Sequence, residues 1–493
     1  MSEPVIIQGG MGAGVSNWRL ANAVSRHGQL GVVSGVALDE ILVRRLQDGD
    51  PGEHMRRALD HFPIPAMAEG IWQRFYRSGG RQPGEPYRRL PQVSMAPNRE
   101  AQELQVVSNF VEIWLAREGH ANPVGINYLE KIQFPHLASI FGAMLAGVDY
   151  VLMGAGIPLH IPGVLDRYAR LEEAQYNINV AGATNAEQTA MRFRPLDFLP
   201  NGITELKRPK FLAIISSYTL ALTLLKKASG RVDGFIIEGP TAGGHNAPPR
   251  GKMQLNEIGE PIYGERDAID LSKLRALGAP FWLAGGYGSR EGLTRALAEG
   301  AVGVQVGTIF ALCEESGLCE THKKALLAEA VAGTARVLTD PLASPTGFPF
   351  KVAQLAGTAS QPEIFAARPR ICDLGYLREA YVKQDGSIGY RCPAEPASVY
   401  LAKGGKVEET VGRKCVCNGL MADIGLPQLR PGNREEPALV TMGDELPKTA
   451  RFLRAGAASY SAADVIDELM QGERIPAAVV EAEELCGSAT LSA

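Results

Sequence analysis

The chain has 493 residues, 45% of them hydrophobic and 21% charged, which is the make-up of a globular protein with one large domain and an elaborated region beside it. A formal net charge of -4 and a pI near 6.1 give no long-range attraction for a polyanion, and the basic pairs Arg44-Arg45 and Lys226-Lys227 stand alone, so nucleic acid is not an expected partner. Seven cysteines are too few, and odd in number, for a disulfide framework. The apolar runs break before the roughly 18 residues of a spanning helix, so the expectation is a cytoplasmic protein with no membrane partner.

Short apolar runs recur along the first 310 residues: VIIQ (5–8), LGVVS (30–34), PVGIN (123–127), DYVLM (149–153), FLAIIS (211–216), GFIIE (234–238), FWLAG (281–285) and VGVQVG (302–307). They are continuous rather than alternating, as strands buried on both faces require. Helical patterns follow several of them, at 18–27, 136–147, 219–229 and 290–300. About eight such units predict an α/β chain folded as a (β/α)8 TIM barrel over residues 1–335. A Rossmann-type open sheet is the competing reading. Against it, the glycine-rich turn GGMGAG (9–14) has no acidic residue ending a second strand some 20 residues on. Insertions are expected after strand two (about 40–120) and strand four (about 170–208). Residues 336–493 lose the strand–helix rhythm and form a C-terminal extension expected to pack on or over the barrel mouth. Two hairpins, around Asp385-Gly386 and Gly404-Gly405, and a final helical pair are expected within it.

Two stretches carry chemistry. EGPTAGGHNAPPRG (238–251) follows a buried strand, so its residues face the mouth of the barrel. The pair Gly243-Gly244 lets the backbone turn beneath a flat ligand, and His245 then projects into the pocket, suited to proton transfer near neutral pH. The second stretch is WLAGGYGSREGLTRALAEGAVGVQVGTIF (282–310). Backbone N–H groups at Gly285-Gly286 and at Gly307-Thr308, ending strands seven and eight, can converge on a phosphate dianion.

Together the two stretches resemble the nitronate monooxygenase family, formerly 2-nitropropane dioxygenase, and the related FMN-dependent enoyl-acyl-carrier-protein reductases. EGPTAGGH matches the segment that follows strand six in those families, and AGGYGSREGLTRALAEGAVGVQVGTIF matches the segment spanning strands seven and eight. The resemblance implies FMN, with its phosphate on Gly285, Gly286, Gly307 and Thr308, and His245 as the base. It further implies Gln8, Gly10, Met11, Asn127, Ser217, Glu238, Gly243, Gly244 and Gln305 as cofactor-binding residues, with no metal ligand. The opening QGGMG (8–12) stands where the family usually has A-P-M. Ser216 is as good a candidate as Ser217.

The implied activity is oxidation of a nitronate or similar activated small molecule by O2. Alternatives are an NAD(P)H-dependent enoyl-thioester reductase, which would bring an acyl carrier protein as partner, and a non-catalytic flavin-binding subunit. Self-association is left open. Cys372, Cys392, Cys415 and Cys417 are read as free thiols, although four thiolates could in principle bind a metal, and Cys313 and Cys319 as packing residues. The stretch KCVCNGLMADIGLPQ (414–428) is expected to fold back over the barrel mouth as part of the substrate pocket.

Overall fold

The computed structural model describes residues 3–96, 98–185, 189–199 and 202–471. Eight parallel strands close a barrel in chain order: β1 (Ile6–Gln8), β2 (Leu30–Ser34), β3 (Val124–Leu129), β4 (Tyr150–Gly154), β5 (Lys210–Ile215), β6 (Gly234–Glu238), β7 (Phe281–Ala284) and β8 (Gly303–Val306). The closing pair is β1 with β8, in the register Ile6 to Val304 and Gln8 to Val306. The predicted (β/α)8 fold is thus what the chain adopts.

The continuous apolar runs are explained by two separate cores. Ile7, Leu30, Val32, Leu152, Leu212, Ile236 and Trp282 point inward and fill the barrel. The Trp282 indole N–H donates to the Pro4 carbonyl at 2.7 Å, which closes the end of the barrel opposite the site. Alternate residues such as Ile6, Val33, Ile126 and Phe235 face the helices outside.

The segment after β2 is helical rather than irregular: Leu38–Gln47, His54–Leu59, Pro65–Phe75 and Arg99–Arg117. Between β4 and β5, Ala174–Asn177 pairs antiparallel with Ala190–Phe193, and Val180–Ala181 adds to a C-terminal hairpin at Glu379–Val382. That hairpin, Glu379–Val382 with Ile388–Arg391, turns at Asp385-Gly386 as expected. The second expected hairpin does not form. The helix Ala397–Ala402 ends at Gly404, whose φ of 79° lets the Gly404 and Gly405 N–H groups bond back to Leu401 and Tyr400. Among the described residues no helix is long and apolar enough to cross a membrane.

A buried charge network organises the C-terminal region. Glu436 accepts from both Arg368 and Arg430, and Arg430 also donates to Asp373 at 2.5 Å; all four side chains are at most 4% exposed. Removing one partner strands the others in low dielectric. Glu436→Ala is therefore expected to cost roughly 3–5 kcal/mol, read from the urea midpoint. A loss below about 1 kcal/mol would mean that the arginines find other partners.

Candidate functional site

The cavity opens at the C-terminal ends of the strands and holds about 1450 Å³ of empty space, counted out to solvent. Its floor and walls come from the turns after β1, β3, β6, β7 and β8 together with C-terminal segments.

Glycine is what lets these turns meet. A Cβ on Gly10 would lie 2.3 Å from the Asn127 Cβ, so β1 passes against β3 only without a side chain there. Gly285, at φ 87°, holds a left-handed conformation against the Thr241 hydroxyl. Among the described residues, the loop hydrogen bonds include none donated by the N–H of Gly285, Gly286 or Gly307. The Thr308 hydroxyl accepts from the Gly443 N–H at 2.8 Å.

Twelve of the sequence-predicted residues line this one cavity: Gly10, Met11, Asn127, Glu238, Gly243, Gly244, His245, Gly285, Gly286, Gln305, Gly307 and Thr308. Two do not. Gln8 is fully buried, and its amide is spent on Gly9, Ser16 and the Val32 N–H, so it ties β1 to β2 instead of reaching a ligand. Ser217 caps the helix Tyr218–Lys227 by accepting from the Leu220 N–H at 3.2 Å. Its neighbour Ser216 lines an adjoining channel.

Glu238, at the end of β6, and His245, in the turn after it, both face the cavity. His245 Nε2 lies 2.7 Å from Ser344 Oγ, and its ring leans on Phe350 at 4.8 Å. Burial, assisted by the Lys131 charge, lowers its pKa to about 4, so the imidazole is neutral at pH 7. Burial alone pushes the Glu238 carboxyl up to about 8, so it holds its proton at neutral pH. The two groups have opposite protonation logic within one pocket.

The C-terminal chain completes the site. The Gly244 N–H donates to the Thr441 hydroxyl at 3.0 Å, the Lys351 N–H to the Gly244 carbonyl at 2.9 Å, and Glu445 accepts from the Gly288 N–H at 2.8 Å. Tyr376, whose hydroxyl bonds Asp39 at 2.5 Å, and Leu377, Cys417 and Leu420 form a further wall. Cys417 and Leu420 come from the 414–428 stretch singled out by composition. Ser344, Tyr376, Thr441 and Glu445 carried no sequence signal, because ordinary polar residues in a tail acquire a role only through contacts some 100 or more positions away.

The polar groups of the cavity suit FMN. The amide oxygens of Asn127 and Gln305 are buried without a partner, although both residues line the cavity. Such atoms are costly unless a ligand satisfies them. Among the described residues no Lys or Arg lines the cavity, so an anionic group must be met by backbone N–H, which the glycine turns present. The residues fit a planar, hydrogen-bonding heterocycle carrying a phosphate. Beside the site, Cys372, Cys392, Cys415 and Cys417 gather round a small second cavity that shares Leu377 and Val416 with the first. Among the described residues no group of three or more His, Cys, Asp or Glu is placed to hold a metal ion.

The fold and site define a (β/α)8 barrel with a ligand cavity built on the turns after its last three strands. Residues 175–342, about a third of the chain, match the family model for nitronate monooxygenase. The nitronate monooxygenase of Paraburkholderia phytofirmans is 28% identical over 215 residues, covering 43% of this chain and 56% of that protein. A (3aS,4S,5R,7aS)-5-hydroxy-7a-methyl-1-oxo-octahydro-1H-indene-4-carboxyl-CoA dehydrogenase of Rhodococcus jostii is 32% identical over 123 residues, 25% of this chain and 31% of that protein. FabK of Thermotoga maritima, a solved structure, aligns at a TM-score of 0.45 and 16% identity over 95% of this chain and 92% of its own. The matched stretches thus span about a third to just over half of the curated relatives' length. This segment, which holds both glycine-rich stretches, is similar to the nitronate monooxygenase family.

The raised Glu238 carboxyl has a consequence for stability. Its folded value of about 8 lies above the ordinary 4.5, so the native state keeps a proton that the unfolded chain releases. Stability from this group is full below pH 4.5 and is lost as pH rises to about 8. Other groups titrate over the same range, Glu40 with a value raised to about 7 among them, so the difference between wild type and Glu238→Gln isolates Glu238. Tm of the ligand-free protein is expected to fall across that window, and less steeply in Glu238→Gln. Identical slopes in the two proteins would place the proton elsewhere.

Proposed function

We propose that the chain is an FMN-dependent oxidoreductase of the nitronate monooxygenase type, oxidising a nitronate or a similarly activated small acid with O2 in a reducing, cytoplasmic setting. The observation that carries this reading is the convergence of unpartnered Asn127 and Gln305 amides, glycine-turn N–H groups, His245 and protonated Glu238 on one cavity. FMN, when bound, supplies the electron acceptor. Gly285, Gly286, Gly307 and Thr308 would hold its phosphate, and Asn127 and Gln305 would meet its ring edge.

The chain's own residues then position substrate. His245, neutral and fixed by Ser344, offers a lone pair to an acidic C–H or a hydrogen bond to an anionic oxygen. Glu238 stands as a proton donor, and its charge is absent where an anionic substrate would enter. Leu377, Leu420 and Phe350 give the cavity an apolar wall.

A second reading has its own support. A channel continues from Glu238 and His245 past Ile157, Ile214, Leu220 and Phe348 to Arg250 at the surface. A small nitronate does not need such length, whereas an enoyl thioester reduced at the expense of NAD(P)H would fill it, free or on an acyl carrier protein. One relative over this segment is named for a carboxyl-CoA substrate. The non-catalytic alternative leaves the His245–Ser344 pair and Glu238 without a purpose.

Anaerobic reduction of the FMN-loaded protein separates these cases. Bleaching of the flavin spectrum by a nitronate alone supports the first reading, and bleaching only by NADH or NADPH supports the second. His245→Ala is expected to retain the visible spectrum and to lose roughly 10²–10⁴-fold in turnover. Undiminished turnover would remove His245 from the chemistry, and a protein that takes up no FMN would overturn the whole assignment.

A further inference from the structure

The channel beside the ligand cavity holds about 950 Å³ of empty space, counted out to solvent. It shares Ala155, Ile214, Glu238 and His245 with the cavity, so the two spaces meet at the proposed reacting groups. Ala155, just past β4, keeps a left-handed φ of 56° at this junction. A residue with a Cβ holds that conformation only where its surroundings impose it. Much of the channel wall is apolar, formed by Ile157, Ile214, Leu220, Pro240, Pro248 and Phe348.

Two polar groups interrupt that wall. Asn246, the residue after His245, lines the channel and is 2% exposed. Its Nδ2 donates to the Ala242 carbonyl at 3.0 Å, whereas its Oδ1 is buried without a donor. Such an oxygen costs stability until a ligand supplies the missing hydrogen. The second group is Arg250, exposed where the channel meets the surface. Its guanidinium donates to the Ser216 carbonyl at 3.2 Å and, among the described residues, makes no ion pair.

The neighbouring charges leave Arg250 available. Asp267 also lines the channel, but its two carboxylate oxygens accept from the backbone N–H groups of Arg250 and Gly264, each at 2.8 Å. Lys131 stands over the Phe348 ring at 4.4 Å and adds positive charge behind the wall. A crevice left by packing needs neither a stranded acceptor beside His245 nor an unpaired cation at its mouth. An acceptor, an apolar wall and a cation together are the complement of a donor, a chain and an anion.

We propose that the channel binds the non-reacting part of the substrate. This part is an unbranched apolar chain with a hydroxyl or N–H near the reacting carbon, bonded to Asn246 Oδ1. Its far end is anionic, a carboxylate or a phosphate, and lies on Arg250. The assignment rests on the barrel mouth being the reaction site, with His245 beside the reacting carbon. Asn246 and Arg250 then set specificity, because contacts along the chain hold the reacting carbon in place. The smallest nitronates make none of these contacts and are poor substrates.

Binding of inert probes to the full-length protein tests this, read by calorimetry so that neither flavin nor turnover enters. The probes are ω-hydroxyalkanoates of increasing length, the matching ω-hydroxyalkyl phosphates, plain alkanoates and α,ω-diols. In wild type the hydroxyalkanoate of best length is expected to bind roughly tenfold more tightly than the diol. It should exceed the plain alkanoate by roughly threefold to tenfold. Arg250→Gln is expected to abolish the first preference and keep the second, and Asn246→Leu to do the reverse. Arg250 is exposed, so its replacement leaves the fold intact; should Asn246→Leu not fold, the wild-type comparison with the alkanoate decides. Tighter binding of the carboxylate or of the phosphate series identifies the anion, and either supports the proposal. Equal affinity for hydroxyalkanoate and diol, equal affinity for hydroxyalkanoate and alkanoate, or no binding of any probe would overturn it. A preference over the diol that survives Arg250→Gln would do the same. Failure of FMN uptake with these preferences intact overturns the flavin reading instead.

Discussion

The structure depends on several backbones coming closer at the barrel mouth than side chains allow. At Gly10 even a methyl group would stand 2.3 Å from Asn127, and at Gly243 it would stand 2.9 Å from the Gly443 nitrogen. Gly307 lies under Met11, whose sulfur would be 3.3 Å from an added Cβ. Closing these gaps puts peptide dipoles rather than side chains on the cavity surface. The consequence is electrostatic as well as steric. With no Lys or Arg on the wall, a dianion can be held only by many fixed N–H groups, and those groups need no rearrangement to do so.

The same enclosure sets the protonation states. Glu238 ends β6 and His245 follows seven positions on, and burial moves the carboxyl up and the imidazole down, so both are neutral near pH 7. Two neutral groups cost far less to bury than an ion pair. They also leave the pocket free of fixed charge, so a charged substrate or cofactor is not opposed on entry. Glu445 is the exception on the wall, and its carboxylate is engaged by the Gly288 N–H.

Much of this was legible in the chain. The eight strands stand at the apolar runs, because strands covered on both faces must be continuously apolar, and glycine pairs at strand ends mark where the chain must turn tightly. Gln8 and Ser217, expected at the cofactor, stand outside the cavity lining for a common reason. Each sits at a strand end, where a polar side chain either faces the ligand or satisfies nearby backbone, and the two outcomes look alike in sequence. Gln8 bonds the neighbouring strand at Val32, and Ser217 caps its own following helix. The C-terminal contributions were hidden differently. Thr441 and Ser344 act at distances of 197 and 99 positions from their partners, and no local pattern records such a pairing.

The helix Val416–Asp423 ties these features together. At its start Val416 and Cys417 stand in the cavity wall and beside the cysteine group, one turn on Leu420 reaches the cavity, and at its end the Asp423 carbonyl accepts from the Cys319 N–H at 2.8 Å. Arg44, buried in the helix Leu38–Gln47, donates to the Leu426 carbonyl at 2.6 Å just beyond that end, and Asp39 of the same helix holds Tyr376. One eight-residue helix therefore takes its position from the barrel's own second segment while forming part of the ligand wall.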